Sequence, residues 1–172
     1  SCPSIPPTRA LTATSSANCA ALAPSPRVTG AEWDASDEVT LPFTINFFGT
    51  AYRSLWVNNN GNVSFEEPLT DFTAFPLAES TDAVIAPFFA DVDTRAEGAV
   101  EYGSVRAGDS ELGGHAAFCV SWRNVGYFEN RADKTNSFQL ALIDRSDTGP
   151  GNFDIEFNYE RVEWESGAMS GG

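Results

Sequence analysis

The chain has 172 residues, of which 42% are apolar and 12% aromatic, enough to bury the core of one β-rich domain. With 24 acidic residues against 10 Lys and Arg, its net charge is −14, which argues against nucleic acid as a partner because phosphate binding needs positive charge. The same balance disfavours adsorption to anionic membranes, and no run approaches the roughly 18–20 apolar residues of a spanning helix, so no membrane insertion is predicted.

The first 30 residues predict an extended arm rather than a folded element. They are rich in Pro, Ser, Ala and Thr, and prolines at five positions disfavour a central strand or a long helix: Pro3, Pro6, Pro7, Pro24 and Pro26. The chain opens at Ser1-Cys2-Pro3 without a visible leader, and we interpret it as the mature form of an exported protein. The sequence thus divides into an arm over 1–30 and a domain over 31–172.

The cysteines are three in number: Cys2, Cys19 and Cys119. Because the number is odd, one disulfide would leave a third thiol that is unpaired or bonded to another chain. Proximity along the chain favours Cys2–Cys19, since the loop to be closed is short. Cys19–Cys119 is the main alternative, because it ties the arm to the domain and constrains the unfolded chain more strongly.

From Val39 onward, apolar and polar residues alternate as they do in β-strands. The strand predicted over 39–47 has an apolar side chain at every second position and ends at Phe48-Gly49. Asn60-Gly61, between the apolar stretches 55–57 and 63–65, predicts a hairpin with a type I′ turn.

Glycine-containing turns separate the remaining strands, which are predicted over 83–89, 99–102, 116–122, 136–144 and 153–159. Strand follows strand at short spacing, and no helical pattern of about ten or more residues intervenes. The predicted fold class is therefore all-β, an antiparallel β-sandwich preceded by the Pro-rich extended N-terminal arm.

Three segments in a fixed order carry a family likeness. They are IAPFFADVDTR (85–95) followed by Gly98, Val100 and Tyr102; VSW (120–122), VGY (125–127) and KTNSFQL (134–140); and FDIEFNY (153–159) with Trp164-Glu165 and Ser170-Gly171-Gly172. Together they resemble the signature of the nidogen-like extracellular (NIDO) domain, a family known from nidogens, tectorins, membrane mucins and bacterial surface proteins. The resemblance covers roughly 39–172. It implies an extracellular or cell-surface module without catalytic residues.

The resemblance also implies an open sheet edge. Family members usually continue past the Ser-Gly-Gly with a Gly-rich turn and a further apolar segment, which this chain lacks. If that segment is a strand, the domain exposes an edge, and an exposed edge invites pairing. A strand from a cleaved fragment, from a neighbouring copy or from the N-terminal arm could occupy it by strand addition.

Asp91 and Asp93 are the candidate metal ligands. In an extended segment, side chains two positions apart point to the same face, so both carboxylates can converge. Such hard oxygen donors suit Ca²⁺ in a secreted protein. Asp71, Asp82 and the Asn58–Asn60 run are further candidate oxygen donors, although the sequence does not place them near Asp91 and Asp93. The alternative is that Asp91 and Asp93 cap a turn and pair with Arg95.

No arrangement of residues points to catalysis. His115 follows two glycines in a turn, and no Gly-x-Ser-x-Gly sequence accompanies it. Trp33 lies in a polar segment and is a candidate surface anchor for a glycan. We therefore expect no enzyme but a structural or adhesive extracellular module that joins protein partners or copies of itself, self-assembling into surface filaments through the arm and the exposed edge. A ligand-binding module for glycans or calcium is the alternative.

Overall fold

The computed structural model describes residues 27–28, 35–108 and 112–165. Within these ranges it has ten strands and one 3-10 helix, Leu77–Glu79. The strands are β1 (Arg27–Val28), β2 (Val39–Phe47), β3 (Thr50–Asn58), β4 (Asn62–Ser64), β5 (Val84–Ile85), β6 (Val92–Asp93), β7 (Ala99–Val105), β8 (Ala117–Tyr127), β9 (Arg131–Asp144) and β10 (Phe153–Arg161).

The strands form two antiparallel sheets. The larger sheet has the order β1-β7-β8-β9-β10, with β6 also paired to β8, and the smaller sheet has the order β2-β3-β4-β5. The predicted all-β antiparallel sandwich is confirmed, and most of the predicted arm lies outside the described residues. No helix in the described ranges is long and apolar enough to cross a membrane.

The main core lies between the two sheets, and Trp122 of β8 is its largest fully buried side chain. Trp122 is fully buried, and its ring stacks on Phe138 of β9 at 4.9 Å between centroids. Its indole N–H donates to the backbone oxygen of Asn59 at 3.0 Å, so one side chain links the larger sheet to the β3–β4 turn. Burial of a large apolar side chain stabilises a fold by about 1.5–3 kcal/mol.

Two local predictions were wrong in detail. The β3–β4 hairpin exists, but Asn58 pairs with Asn62 across a three-residue turn in which only Gly61 has positive φ. This turn is therefore not type I′; a Cβ at Gly61 would lie 1.7 Å from the Phe88 oxygen. The strand predicted over 83–89 is limited to Val84–Ile85, because Pro87 has no N–H to donate to a sheet.

A second apolar cluster lies on the face of the larger sheet that points away from the smaller sheet. Its strand residues are small or β-branched, and Leu112 from the β7–β8 connection joins them; we call this set the outer cluster: Val105, Leu112, Ala117, Cys119, Ala141 and Ile143. All six are at most 9% exposed. Farther along the same face the residues become polar, with Ser121 paired to Gln139.

The segment after β10 is fixed by Asn136 of β9. The Asn136 side-chain oxygen accepts from the N–H groups of Glu163 (2.8 Å) and Trp164 (3.2 Å), and its amide donates to the Trp164 oxygen at 2.9 Å. The buried Trp164 indole in turn donates to the Val125 oxygen at 3.1 Å. These contacts hold the end of β10 against the body of the domain.

Candidate interaction surface

Asp93, one of the two predicted calcium ligands, is held by neighbouring donors. Its Oδ1 accepts from the Arg95 backbone N–H (3.0 Å) and Nε (2.8 Å), and its Oδ2 accepts from the Asn130 N–H (2.9 Å) and from Arg95 Nη2. Burial alone raises the pKa of this carboxyl, but hydrogen bonds from Arg95 and Asn130 and the Arg95 charge together lower it below its usual value. This geometry is that of a turn cap with an ion pair.

Asp91 is also buried, at 7% exposure. Within the described ranges, no group of three or more His, Cys, Asp and Glu side chains is arranged to hold a metal ion. Calcium binding at Asp91 and Asp93 stays a prediction. Asp71 and Asp82 lie instead beside a cavity of about 160 Å³ whose wall also contains Glu66 and Glu67, so that region is acidic.

The Asn-rich turn is an internal support. Asn59 donates to the Val92 oxygen at 2.7 Å, and Asn60 accepts from the Val92 N–H at 3.1 Å, which fixes β6 against the turn. Asn62, which lies in an Asn-x-Ser sequence, is fully buried and donates to the Asn60 oxygen at 3.4 Å. A glycan on Asn62 would not fit the folded domain.

The other predicted site residues are placed as follows. Cys119 is fully buried in the outer cluster, whereas Cys2, Cys19 and Trp33 lie outside the described residues. Their roles as disulfide partners and surface anchor stay predictions. His115 is half-buried, and its backbone N–H donates to the Leu112 oxygen at 3.4 Å.

The most exposed apolar strand is β10, at the end of the larger sheet. In the register with β9, Ile155 lies opposite Leu142, Phe157 opposite Leu140 and Tyr159 opposite Phe138. The β9 residues are at most 3% exposed, but Ile155, Phe157 and Tyr159 are 43%, 42% and 51% exposed. The core-side face of the larger sheet therefore continues onto β10, but β10 itself is left partly uncovered.

Contacts at both ends hold this stripe in place. Tyr159 donates its hydroxyl to the Pro87 oxygen at 2.6 Å. At the other end, the Phe153 ring lies 6.4 Å from Phe47, which contacts the Phe48 ring at 4.7 Å. We call the surface formed by Phe48, Phe153, Ile155, Phe157 and Tyr159 the aromatic seam.

Phe48 is the outermost member of the seam. It is 94% exposed and has φ of 50° in the two-residue β2–β3 turn, where Gly49 has φ of 94°. A bulky residue is uncommon in this left-handed region because its Cβ crowds the backbone. The Asn46 side chain accepts from the Gly49 N–H at 2.8 Å, and the Asn46 N–H donates to Gly151 at 2.8 Å, so the turn is braced against the β9–β10 turn.

The opposite face of β10 is acidic. Asp154, Glu156 and Glu160 alternate with the seam residues. Asp154 accepts from Arg145 at 2.7 Å, and Glu156 accepts from the Asn158 amide at 2.9 Å. Among the strands described, none pairs with the second edge of β10. The strand therefore presents backbone hydrogen-bonding groups, an apolar face and an acidic face to a partner.

Sequence reasoning located the β10 strand but missed the seam. The signal was the alternation of Phe153, Ile155, Phe157 and Tyr159 with acidic and amide residues. That alternation predicts one apolar face, but it does not reveal whether a second sheet covers that face. Phe48 was assigned to a turn, and no signal marked its exposure.

The chain is similar in sequence to several known proteins. A family model described as the nidogen-like domain matches residues 53–172. Human alpha-tectorin is 33% identical over 157 residues, which cover 80% of this chain and 7% of tectorin. Nidogen of Drosophila melanogaster is 31% identical over 122 residues (58% of this chain and 9% of nidogen). Dendrite extension defective protein 1 of Caenorhabditis elegans is 28% identical over 155 residues, 80% of this chain and 13% of that protein.

The chain thus spans only a small part of the length of these relatives. They are proteins of the extracellular matrix or the cell surface, and the predicted extracellular or cell-surface location is confirmed. No solved structure is significantly similar to the chain.

Proposed function

This chain belongs to the nidogen-like domain family, and from that premise we propose that it is a non-enzymatic structural and adhesive module that joins extracellular proteins. Its matrix relatives support the structural part of the proposal. The observation that carries the joining part is the second edge of β10, with which none of the described strands pairs, together with the half-exposed apolar face of this strand.

A partner strand added to β10 would use two kinds of interaction. Its backbone would continue the ladder of the larger sheet, as in other cases of strand addition. Its side chains would cover Ile155, Phe157 and Tyr159, which are still 42–51% exposed. Completing the burial of such side chains contributes on the order of 1 kcal/mol each. The seam supplies affinity, and Phe48 extends the contact beyond the strand.

Charge selects the type of strand. A second β10 in antiparallel pairing would bring Asp154, Glu156 and Glu160 close to the same acids of its partner, and like charges across a ladder are destabilising. A strand whose apolar residues alternate with basic or neutral ones avoids this repulsion. We therefore propose a partner strand of that composition.

Self-assembly into filaments is one form of this function. In that form the arm of one copy would pair with β10 of the next. Residues 1–26 contain Arg9 and no acidic residue, which suits an acidic edge. Because Arg27–Val28 already pairs with β7, the exchanged strand would come from residues before Arg27. A chain that stays monomeric in sedimentation at high concentration would contradict this form.

Ligand binding for glycans or calcium is the alternative. Calcium that binds only the folded state must raise its melting midpoint. A melting midpoint unchanged by calcium and by EDTA would argue against a site at Asp91 and Asp93. For glycans the candidate anchor is Trp33, and Trp33→Ala should then weaken binding on a glycan array.

Binding at the edge of β10 and the aromatic seam can be tested with a synthetic nine-residue peptide in which Val or Phe alternates with Lys. The full chain should bind this peptide, and Phe157→Glu should weaken binding at least about tenfold, the equivalent of about 1.4 kcal/mol. Leu77→Glu is the matched control, because Leu77 is also 42% exposed but lies in the 3-10 helix.

A peptide with Glu at the Lys positions tests the charge argument and should bind more weakly than the Lys peptide. Equal binding by the Phe157→Glu and Leu77→Glu variants would contradict the proposed surface. Thermal unfolding of both variants checks that neither change acts by unfolding the domain.

A further inference from the structure

We propose that residues 1–26 of this chain cover its own outer cluster and that a disulfide between Cys19 and Cys119 fixes them there. This inference concerns the face of the larger sheet opposite the core, so it is independent of the binding of another protein's strand to β10. It is an alternative to the filament form, in which the same residues of one copy pair with β10 of the next. Its basis is the burial of the outer cluster, the direction of β1 and the composition of the first 26 residues.

The outer cluster is buried although none of the strands in the described residues packs on it. Ala117, Cys119 and Ala141 are fully buried, although the smaller sheet packs on the other face of β8 and β9. Their side chains are too short to shield one another from water. Gly103, which lies beside Cys119 in the sheet register, has no side chain. A segment of chain can therefore lie close to the sheet at this point.

The direction of β1 leads residues 1–26 toward this place. Arg27 pairs with Glu101 and Val28 with Val100 in antiparallel register. Residues before Arg27 are therefore directed along β7 toward Gly103 and Val105, the end of the sheet that carries the outer cluster. The polar end of the same face lies in the opposite direction.

The number of residues between each cysteine and Arg27 favours Cys19 over Cys2 as the partner of Cys119. In the sheet register, Cys119 lies two strands and two residues away from Arg27, a distance of about 12 Å from ordinary strand spacing and rise. Cys19 precedes Arg27 by eight positions, and such a segment spans up to about 26 Å when extended. Cys2 is also within reach, but its longer tether gives a lower effective concentration at Cys119.

The composition of residues 1–26 also suits a location on the outer cluster. All acidic residues of the chain lie after residue 26, and the first 26 residues contain Arg9 as their single charged side chain. An almost uncharged segment rich in Ala, Leu and Pro can cover an apolar surface with little cost for removing charge from water.

Formation of the Cys19–Cys119 disulfide is a two-electron oxidation. The Cys19 and Cys119 thiols lose two protons and two electrons as the S–S bond forms. The electrons and protons pass to a disulfide-containing oxidant of the export pathway, which becomes a dithiol. Exported proteins meet such oxidants, and disulfides persist outside the cell.

Peptide mapping of the full, unreduced chain tests the proposal directly. After alkylation and proteolysis, mass spectrometry should find the Cys19 peptide linked to the Cys119 peptide within a monomer, with Cys2 alkylated. A Cys2–Cys19 link, a Cys2–Cys119 link, no link at all, or a Cys19–Cys119 link between two chains would overturn it. The last result would instead support exchange of the arm between copies.

Cysteine variants provide a second readout. Cys19→Ser and Cys119→Ser should each lower the melting midpoint, by about 5–10 °C for loss of a disulfide that closes a long loop. Cys2→Ser is the matched control and should leave the midpoint unchanged. An equal loss in Cys2→Ser and Cys19→Ser, with none in Cys119→Ser, would assign the bond to Cys2–Cys19 and contradict the proposal.

Discussion

The two faces of the larger sheet carry two apolar surfaces that differ in size and exposure. The outer cluster contains small residues such as Ala117 and Ala141 that are fully buried, whereas the seam on β10 contains Phe157 and Tyr159, which are 42% and 51% exposed. Small side chains allow another segment of backbone to lie close to a sheet. Large, half-exposed side chains offer area to a partner that is not yet present.

This difference separates a surface that serves folding from one that serves association. The outer cluster is complete within the chain, so changes there should act on stability. The seam is incomplete within the described residues, so changes there should act mainly on binding.

The largest expected effect comes from a charge in the outer cluster. Ala141 is fully buried, so Ala141→Asp would place a carboxylate among apolar side chains and should lower the free energy of unfolding by about 3–5 kcal/mol. Urea denaturation measures this loss. Ser104→Asp, at an exposed position of β7, is the control and should change stability by less than about 0.5 kcal/mol. If Ala141→Asp is equally harmless, the outer cluster is open to water and the comparison fails.

Many strands of the sandwich can be predicted from the local sequence, because apolar and polar residues alternate along them. The predictions of a strand over 39–47 and of a hairpin between β3 and β4 agree with the structure. The extent of other strands depends on tertiary contacts. β9 extends over Arg131–Asp144 because β8 and β10 pair along it, and the strand after Ala83 ends early near Pro87.

The candidate site was less predictable than the fold. An apolar face on β10 was visible in the sequence, but its exposure depends on where the smaller sheet ends. The spacing of Asp91 and Asp93 was compatible with two interpretations, a calcium site and a turn cap paired with Arg95. The contacts of Asp93 with Arg95 agree with the second interpretation. Which donors surround a carboxylate is decided by chain segments distant in sequence, here the turn at Asn130.

A smaller effect on the free energy of unfolding is expected from a change at Asp93. This residue lies outside both apolar surfaces. Its pKa is lowered in the folded state, so ionised Asp93 stabilises the fold above its usual pKa, and this contribution is lost as pH falls below about 4 toward the folded value. Asp93→Asn should therefore cost about 2 kcal/mol at pH 7 and progressively less in acid.

Urea denaturation of the wild type and Asp93→Asn at pH 7 and at pH 3 measures this dependence. Exposed Asp71→Asn serves as the control for removing a negative charge. A difference between the wild type and Asp93→Asn that is the same at both pH values would show that the Arg95 contact does not stabilise the fold through the Asp93 charge. Peptide binding by β10 should be unaffected in either variant.

Hydroxyl-radical footprinting of the full, unreduced chain compares the two surfaces in one experiment. We expect strong labelling of Ile155, Phe157 and Tyr159 and protection of Val105, Leu112 and Ile143. Labelling of the latter three should rise in Cys119→Ser. Protected β10 side chains in the isolated monomer, or an outer cluster labelled as strongly as β10, would contradict this expectation.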